Sequence, residues 1–323
     1  MKIFVVSGFL GAGKTTFIKS LAEHTGKEFA ILENEYGEIG VDGDLLKESQ
    51  ADGEINVWEL TEGCICCSMK GDFAASVLTI ANTVDPEYLV IEPTGVGMLS
   101  NITAGLKQIE YERITLLAPV VIVDGRSFGQ YLREYPEIYR DQICSAATVF
   151  VSKMEQAPPE ERQLLGRRLK ELNPDADIRT EHYSGMRKEE WLGLLRRRYD
   201  GTCFEENKAE TAILPDTFSM NGICIESPER LILLLENLIH GQLGSIIRAK
   251  GCIRAGEQFI RFDVADGRYS ITGADKADAG KAVFIGTDIR RQKIRRYFIK
   301  RRLSPQPSRK TVPVEKGYQL FWK

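Results

Sequence analysis

The sequence predicts an α/β chain: a parallel sheet with helices on both faces, followed by a smaller α+β domain. Three observations carry this expectation. The stretch Val5-Val6-Ser7-Gly8-Phe9-Leu10-Gly11-Ala12-Gly13-Lys14-Thr15-Thr16 fits G-x-x-x-x-G-K-[ST] from Gly8 to Thr15. An apolar run precedes it, and Phe17, Ile18 and Leu21 follow at helical spacing. Short apolar runs then alternate with helical stretches, the order that builds a parallel sheet. Past a polar segment from Tyr199 to Ala212, strands follow one another between two helical stretches, which argues a separate domain.

In chain order, Ile3-Phe4-Val5-Val6 is the first strand and the glycine-rich loop opens the first helix. Phe29 to Leu32 is a second strand, ending in Glu33-Asn34-Glu35-Tyr36-Gly37, with a Gly- and Asp-rich loop at 40–44. Val57-Trp58-Glu59-Leu60 leads into Gly63-Cys64-Ile65-Cys66-Cys67, and Phe73 to Val84 reads as a helix. Tyr88-Leu89-Val90-Ile91 is a buried-type strand that delivers Glu92-Pro93-Thr94-Gly95. Ile114 to Val123, broken by Pro119, ends at Asp124, and Ala147 to Val151 ends at Ser152-Lys153-Met154-Glu155. Pro158-Pro159-Glu160-Glu161 opens a helix to about Leu172, with Pro and acids in its first turn. Ala176 to Arg179 is the last strand of the first domain, 1–205. In the second, 213–303, strands are expected at Thr217–Ile225, 246–251, 258–264, 269–272 and 283–286. Helices are expected from Pro228 to Ile239 and from about Ile289 to Leu303. The tail 304–323, with Pro305, Pro307 and Pro313, reads as extended or partly disordered.

The loop sets the first function. Gly8, Gly11 and Gly13 lack a Cβ, so the backbone of Gly8 to Thr16, Ala12 included, can turn its N–H groups onto a phosphate chain. The helix N-terminus adds a positive dipole end. Lys14 reaches the β- and γ-phosphates, and the Thr15 hydroxyl sits on Mg²⁺. These residues make a P-loop nucleotide site. Glu92, after four apolar residues, takes the place of a Walker-B acid that holds the Mg²⁺ shell or orders the attacking water. The Gly95 N–H can sense the γ-phosphate; a plain capping carboxylate is the other reading of Glu92. Ser152, Lys153 and Glu155 form a base-reading station. In P-loop GTPases it reads Asn-Lys-x-Asp or Thr-Lys-x-Asp, so the Glu155 carboxylate favours guanine. A plain surface Lys/Glu pair is the alternative.

Three thiols within four residues, Cys64, Cys66 and Cys67, are soft ligands suited to Zn²⁺, Co²⁺ or Cu(I). In an extended segment Cys64 and Cys66 share a face and Cys67 does not, so one ion binds all three only where the backbone turns. A fourth ligand comes from Glu33, Glu35, a histidine or water; a redox pair or structural thiols are the competing readings. Cys144, Cys203, Cys224 and Cys252 stand singly and read as structural. An odd seven cysteines does not look like a secreted disulfide framework. The P-loop interrupts any signal-peptide pattern, and no apolar run approaches the roughly 20 residues that cross a bilayer. A cytoplasmic protein without a membrane partner is expected. A net charge of −3 argues against nucleic acid as the main partner. The basic run of Arg290, Arg291, Lys293, Arg295, Arg296, Lys300, Arg301 and Arg302 reads as a solvated helix face, with an acidic client surface as the sharper alternative.

Gly-Phe-Leu-Gly-Ala-Gly-Lys-Thr-Thr, Glu-Asn-Glu-Tyr-Gly-Glu, Gly-Cys-Ile-Cys-Cys and Ile-Glu-Pro-Thr-Gly, in that order, resemble the CobW family of metal-handling P-loop GTPases. Arg248-Ala249-Lys250-Gly251 and Val283-Phe284-Ile285-Gly286 resemble the family's C-terminal domain, so the likeness covers nearly the whole chain. The resemblance implies slow GTP hydrolysis to GDP, coupled to delivery of zinc, cobalt or a similar metal to a client metalloprotein or cofactor-assembly protein. Two departures stand out. Glu155 replaces the usual Asp, and the only histidines are His24, His182 and His240, so a histidine-rich store is missing. Two readings without metal transfer remain: a small-molecule phosphotransferase and a metal-free, nucleotide-gated binder.

Overall fold

The computed structural model describes residues 1–33, 55–59, 72–201, 215–265, 267–274 and 280–300, with backbone alone at 33, 55–59, 72 and 300. Its first sheet holds β1 (Lys2–Gly8), β2 (Phe29–Glu33), β3 (Ile55–Glu59), β4 (Tyr88–Glu92), β5 (Thr115–Leu116), β6 (Val120–Asp124), β7 (Thr148–Ser152) and β8 (Asp177–Arg179). The strands run parallel in the order β3-β2-β4-β1-β6-β7-β8, with short β5 also beside β1. Successive residues on each strand serve opposite faces, as the period of two requires. Ile3 and Val5 of β1 enter one buried cluster, and Phe4 and Val6 enter the other.

Helices cover both faces. The first cluster is closed by α2 (Asp72–Thr83), α3 (Leu99–Lys107), α4 (Phe128–Glu134), α5 (Pro136–Cys144) and α6 (Pro159–Leu172). The second is closed by α1 (Lys14–Thr25) and α7 (Lys188–Leu194). Sequence reading names no helix at α3, α4, α5 or α7. They span only 7 to 9 residues each, about two turns, too few for an apolar period to stand out. Trp191 of α7 is fully buried, 5.1 Å from the Phe17 ring of α1, and thereby seats the helix that begins at Lys14.

The second sheet comprises β9 (Asp216–Asn221), β10 (Ile223–Ile225), β11 (Ser245–Ala255), β12 (Gln258–Ala265), β13 (Arg268–Gly273), β14 (Lys281–Thr287) and β15 (Phe298–Lys300). Its order is β13-β12-β11-β10-β15, and β14 joins β11 to β9. The expected strand at 217–225 is two strands, parted at Gly222, where φ is 64°. Helix α8 (Pro228–Ile239) is N-capped by Ser227 and buries Leu231, Leu234, Leu235 and Leu238 against this sheet.

The helix expected from Ile289 to Leu303 is a correction. It spans only α9 (Arg291–Arg295), and the chain then pairs as β15 against β10. Tyr297-Phe298-Ile299 is an aromatic and β-branched run suited to a strand, and ladder bonds to β10 override the charged residues' helical preference. The basic run is thereby split. Arg291 pairs with Asp216, and Arg291 and Arg295 lie over the Phe218 ring.

Ile247, Val283 and Ile285 of β11 and β14 belong to the same buried cluster as Phe9, Tyr131, Tyr135 and Tyr139. The second sheet therefore packs directly on the elements around the glycine-rich loop. The expected domain limits at 205 and 213, and the tail 304–323, lie outside the described residues.

Trp191→Ala is expected to lower unfolding stability by about 3–5 kcal/mol, the usual cost of deleting a fully buried large aromatic. Urea denaturation followed by far-UV circular dichroism measures it.

Candidate nucleotide site

β1 lies between β4 and β6, where the chain's progress across the sheet reverses; such a point opens a crevice at the strands' carboxyl ends. The glycine-rich turn leaves β1 here, with positive φ at Gly8, Gly11 and Gly13. Gly13 is the N-cap of α1 and offers no side-chain cap, and no acidic residue stands in the first turn. The first N–H groups of α1 therefore face no competing carboxylate on their own helix.

Register then brings three expected residues together. Val5 pairs with Ile91, so Glu92 emerges beside the loop. The Thr15 hydroxyl donates to Glu92, with both carboxylate oxygens 3.1 Å away. Lys14 is buried at 8% exposure, and its Nζ donates to the carbonyls of Gly8 and Phe9 at 3.2 and 3.4 Å. The same nitrogen stands 4.0 Å from Glu92 Oε1. A hydroxyl and a carboxylate side by side are the hard oxygen donors that suit Mg²⁺. Glu33 pairs by backbone with Glu92 on one side and Glu59 on the other, so the three end their strands in one row.

Gly95 packs on the glycine-rich loop so closely that a Cβ there would meet Leu10 N at 2.5 Å. Two residues of α5, neither singled out from the sequence, hold this segment. Gln142, 1% exposed, donates from Nε2 to the carbonyls of Gly95 and Gly97 at 3.1 and 2.8 Å. Asp141 accepts from Ser100 N at 3.2 Å, supplying the cap that Met98 cannot give α3. Burial raises the Asp141 carboxyl above its ordinary value, and the Ser100 hydrogen bonds oppose that rise. Gln142 had one sequence signal: it is a polar residue on the apolar stripe of Ile138, Tyr139 and Ile143.

At the other end of the loop, the Ser152 hydroxyl is buried and donates to the carbonyls of Ala12 at 2.7 Å and Val123 at 3.3 Å. Ser152 thus braces the loop against β7. Lys153 adopts a left-handed backbone, with φ 61°, and its Nζ is 2.6 Å from Asp124 Oδ2. Asp124 is 3% exposed and also accepts from Arg126 N. Glu155 accepts from Lys153 N at 3.2 Å and lies 3.3 Å from His182 Nε2, a neighbour that sequence spacing could not reveal. Thr16 is exposed on α1. Cys64, Cys66, Cys67 and Glu35, and the Glu33 side chain, lie outside the described residues. Of the other cysteines, Cys144 donates to the Leu172 carbonyl, and burial pushes its thiol pKa up, as suits a packed thiol. No group of three or more His, Cys, Asp or Glu side chains poised for a metal occurs among the described residues. None of their helices is long and apolar enough to cross a membrane.

A glycine-rich loop at the switch point of a parallel sheet, with a lysine, a hydroxyl and a strand-end carboxylate converging on it, defines a P-loop nucleotide-binding domain. The chain belongs to the CobW/HypB/UreG family: residues 2–180 match the model of its nucleotide-binding domain. Residues 226–300 match the cobalamin synthesis protein cobW C-terminal domain. Among curated relatives, the zinc chaperone YeiR of Escherichia coli K12 is 35% identical over 182 residues, covering 55% of this chain and 54% of YeiR. The zinc chaperone CobW of Sinorhizobium sp is 36% identical over 175 residues, covering 46% and 49%. The chain thus spans about half the length of these relatives. The zinc chaperone YjiA of E. coli K12 aligns further, 27% identical over 320 residues, with 92% of this chain and 97% of YjiA covered.

A raised Asp141 pKa means that the folded state holds the proton more tightly than the unfolded chain. The stability this gives is present below the unfolded pKa and is lost as pH rises through the folded one. Asp141→Asn keeps an oxygen for Ser100 N and carries no charge. It is expected to exceed the wild type in stability at about pH 7, with the gap closing toward about pH 4. Denaturation midpoints across that range test it.

Proposed function

We propose that the chain is a GTP-binding, slowly GTP-hydrolysing metallochaperone whose cargo is Zn²⁺, held through Cys64, Cys66 and Cys67 and passed to a client protein. The observation that carries the nucleotide half is the meeting of Lys14, Thr15 and Glu92 at the switch point. Lys14 offsets the charge of the β- and γ-phosphates, and Gly8, Gly11, Ala12 and Gly13 present backbone around them. The Thr15 hydroxyl and Glu92 carboxylate hold Mg²⁺, which when bound neutralises charge between the phosphates. Gly95, pinned by Gln142, sits where its N–H can answer to the γ-phosphate. The metal half is supported by the relatives, among them zinc chaperones and zinc-regulated GTPase metalloprotein activators. It draws further support from the sheet edge. The chain that leads to Cys64 leaves the sheet at Glu59, in one row with Glu33 and Glu92, at the end where Thr15 lies. Co²⁺ suits the same soft ligands and is the second cargo to try.

Guanine selection is assigned to Glu155, whose carboxylate accepts from N1–H and N2–H, with Lys153 held beside it by Asp124. GTP is expected to outcompete ATP, and Glu155→Asp to sharpen the preference. Equal competition by the two nucleotides against labelled GDP would remove this assignment.

Metal and GTP are expected to bind cooperatively. A γ-phosphate that engages the Glu92–Gly95 loop, at the sheet end from which the chain to Cys64 leaves, favours metal binding there, and by linkage the metal favours GTP equally. The coupling should be about 1–3 kcal/mol. Thiolate ligation should release protons, and Cys66→Ser should abolish the coupling while sparing nucleotide binding. Zn²⁺ and Co²⁺ titrated into apo, GDP and non-hydrolysable-GTP forms decide the matter. Equal metal affinity in all three would sink the transfer mechanism.

A further inference from the structure

Arg248 of β11 reaches from the second domain to the glycine-rich loop. Its Nη1 stands 2.5 Å, and its Cζ 3.7 Å, from the position a Cβ on Gly11 would take. The guanidinium therefore fills the space of a missing side chain, and any larger residue at 11 would displace it. The Arg248 side chain is only 13% exposed, and its Nη2 donates to Asp263 Oδ2 at 2.8 Å. Its Nε and the second oxygen of Asp263 are buried with no hydrogen-bond partner among the described residues. A buried fork of donors with part of its capacity unmet is unfavourable unless something else completes it. Gly11 lies in the turn between β1 and α1, so a phosphate bound by that turn would come within reach of the guanidinium.

We propose that Arg248 is an arginine finger supplied in cis: a catalytic residue from the second domain that bonds the terminal phosphates of GTP, with Asp263 as its positioning residue. This rests on the reading of the chain as a GTP hydrolase. In hydrolysis the water oxygen bonds to the γ-phosphorus and the bond from that phosphorus to the β–γ bridging oxygen breaks. The water's proton leaves with inorganic phosphate, and charge gathers on the bridging and γ-oxygens. Lys14 lies on the β1 side of the loop, against the carbonyls of Gly8 and Phe9. Arg248 stands over Gly11 and adds a second, planar cation with parallel donors. Ile247, the preceding residue, is buried in the cluster that holds Phe9 and Tyr135. The backbone that carries the guanidinium is thus fixed by the packing of the second domain on this cluster, which ties turnover to how that domain is docked.

The experiment compares purified full-length wild type, Arg248→Ala, Arg248→Lys and Asp263→Asn. Single-turnover hydrolysis of Mg²⁺–GTP, GDP affinity, GDP–aluminium fluoride affinity and thermal midpoint are read for each. Arg248→Ala is expected to lose on the order of 100-fold or more in kcat and to lose preferential binding of GDP–aluminium fluoride. GDP affinity should change less than about threefold, because the contact belongs to the transition state. Arg248→Lys keeps a charge and an aliphatic stem, so it remains informative where the alanine variant does not fold. It should recover only a small part of kcat, and Asp263→Asn should fall between it and the wild type. Wild-type kcat in Arg248→Ala, or in Arg248→Lys where only that variant folds, overturns the proposal. So does a loss matched by equal losses in GDP affinity and thermal midpoint, which marks a purely structural staple. A wild type that turns over no GTP fails the function proposal itself, and this inference with it.

Discussion

Parallel pairing of β1 with β4 is the constraint on which the site depends. The glycine-rich loop and the Glu92 loop are separated by some eighty residues, and neither has reason to approach the other without it. Because Val5 pairs with Ile91, both chains leave the sheet at one edge, and the Thr15 hydroxyl comes within hydrogen-bond distance of Glu92. A one-residue slip would turn Glu92 to the opposite face and replace the carboxylate with Ile91 or Pro93. The same register continues through β2 to β3 and aligns Glu33 and Glu59 with Glu92. Whatever the segments beyond those strands bind, they start from the nucleotide's edge of the sheet.

The two loops at that edge are both anchored by burial in one apolar cluster. Phe9 is 1% exposed and sits among Tyr131, Tyr135 and Tyr139, with ring centroids 4.4, 5.4 and 5.7 Å away. Burying one such ring is worth about 1.5–3 kcal/mol, and aromatic pairing adds to it. The Gly95 segment is buried as well, with Val96 at 2% exposure in the same cluster as Phe9. Directional bonds from Gln142 to the Gly95 and Gly97 carbonyls, each worth about 1 kcal/mol net, add orientation to that packing. Helix α5 carries Tyr139, Gln142 and Asp141, and packs where the second sheet contributes Ile247, Val283 and Ile285. Both loops and the second domain therefore meet one rigid element.

Much of this was legible in the sequence, and the losses have physical causes. The strands of the first sheet are short apolar runs ending in acidic or glycine-rich loops, so local pattern suffices. The P-loop is legible because its chemistry is contiguous. Helices α3, α4, α5 and α7 are too short to show a period, and Tyr135-Pro136 joins α4 to α5 with hardly a break. Past Ile289 eight cations suggest a helix face, but Phe298 and Ile299 are claimed by β10. Gln142, His182 and Arg248 share one difficulty. Each meets its partner only through tertiary packing, across 45, 27 and 237 residues respectively, and no local spacing records such a meeting.

The turn from Lys153 to Glu155, proposed above to read the base, shows how its glutamate is seated. Asp124 is buried and would be costly as a lone charge, so its pairing with Lys153 at 2.6 Å satisfies a need of the fold first. That pairing fixes the left-handed turn at Lys153, whose N–H then points back at Glu155. The extra methylene lets Glu155 fold onto this N–H and toward His182. Under the proposal that Glu155 reads guanine, an arriving base would have to win the carboxylate from those partners. Glu155 is 45% exposed, and a contact to His182 so open to water would be worth about 0–1 kcal/mol even with a charged imidazole. Hydrogen bonds to a carboxylate are worth about 1.5–3 kcal/mol each, whether from the Lys153 N–H or from a base. Guanine would bring two such donors in exchange for the one from Lys153 and the exposed contact, whereas adenine, with no donor at N1, would lose the same contacts without that return.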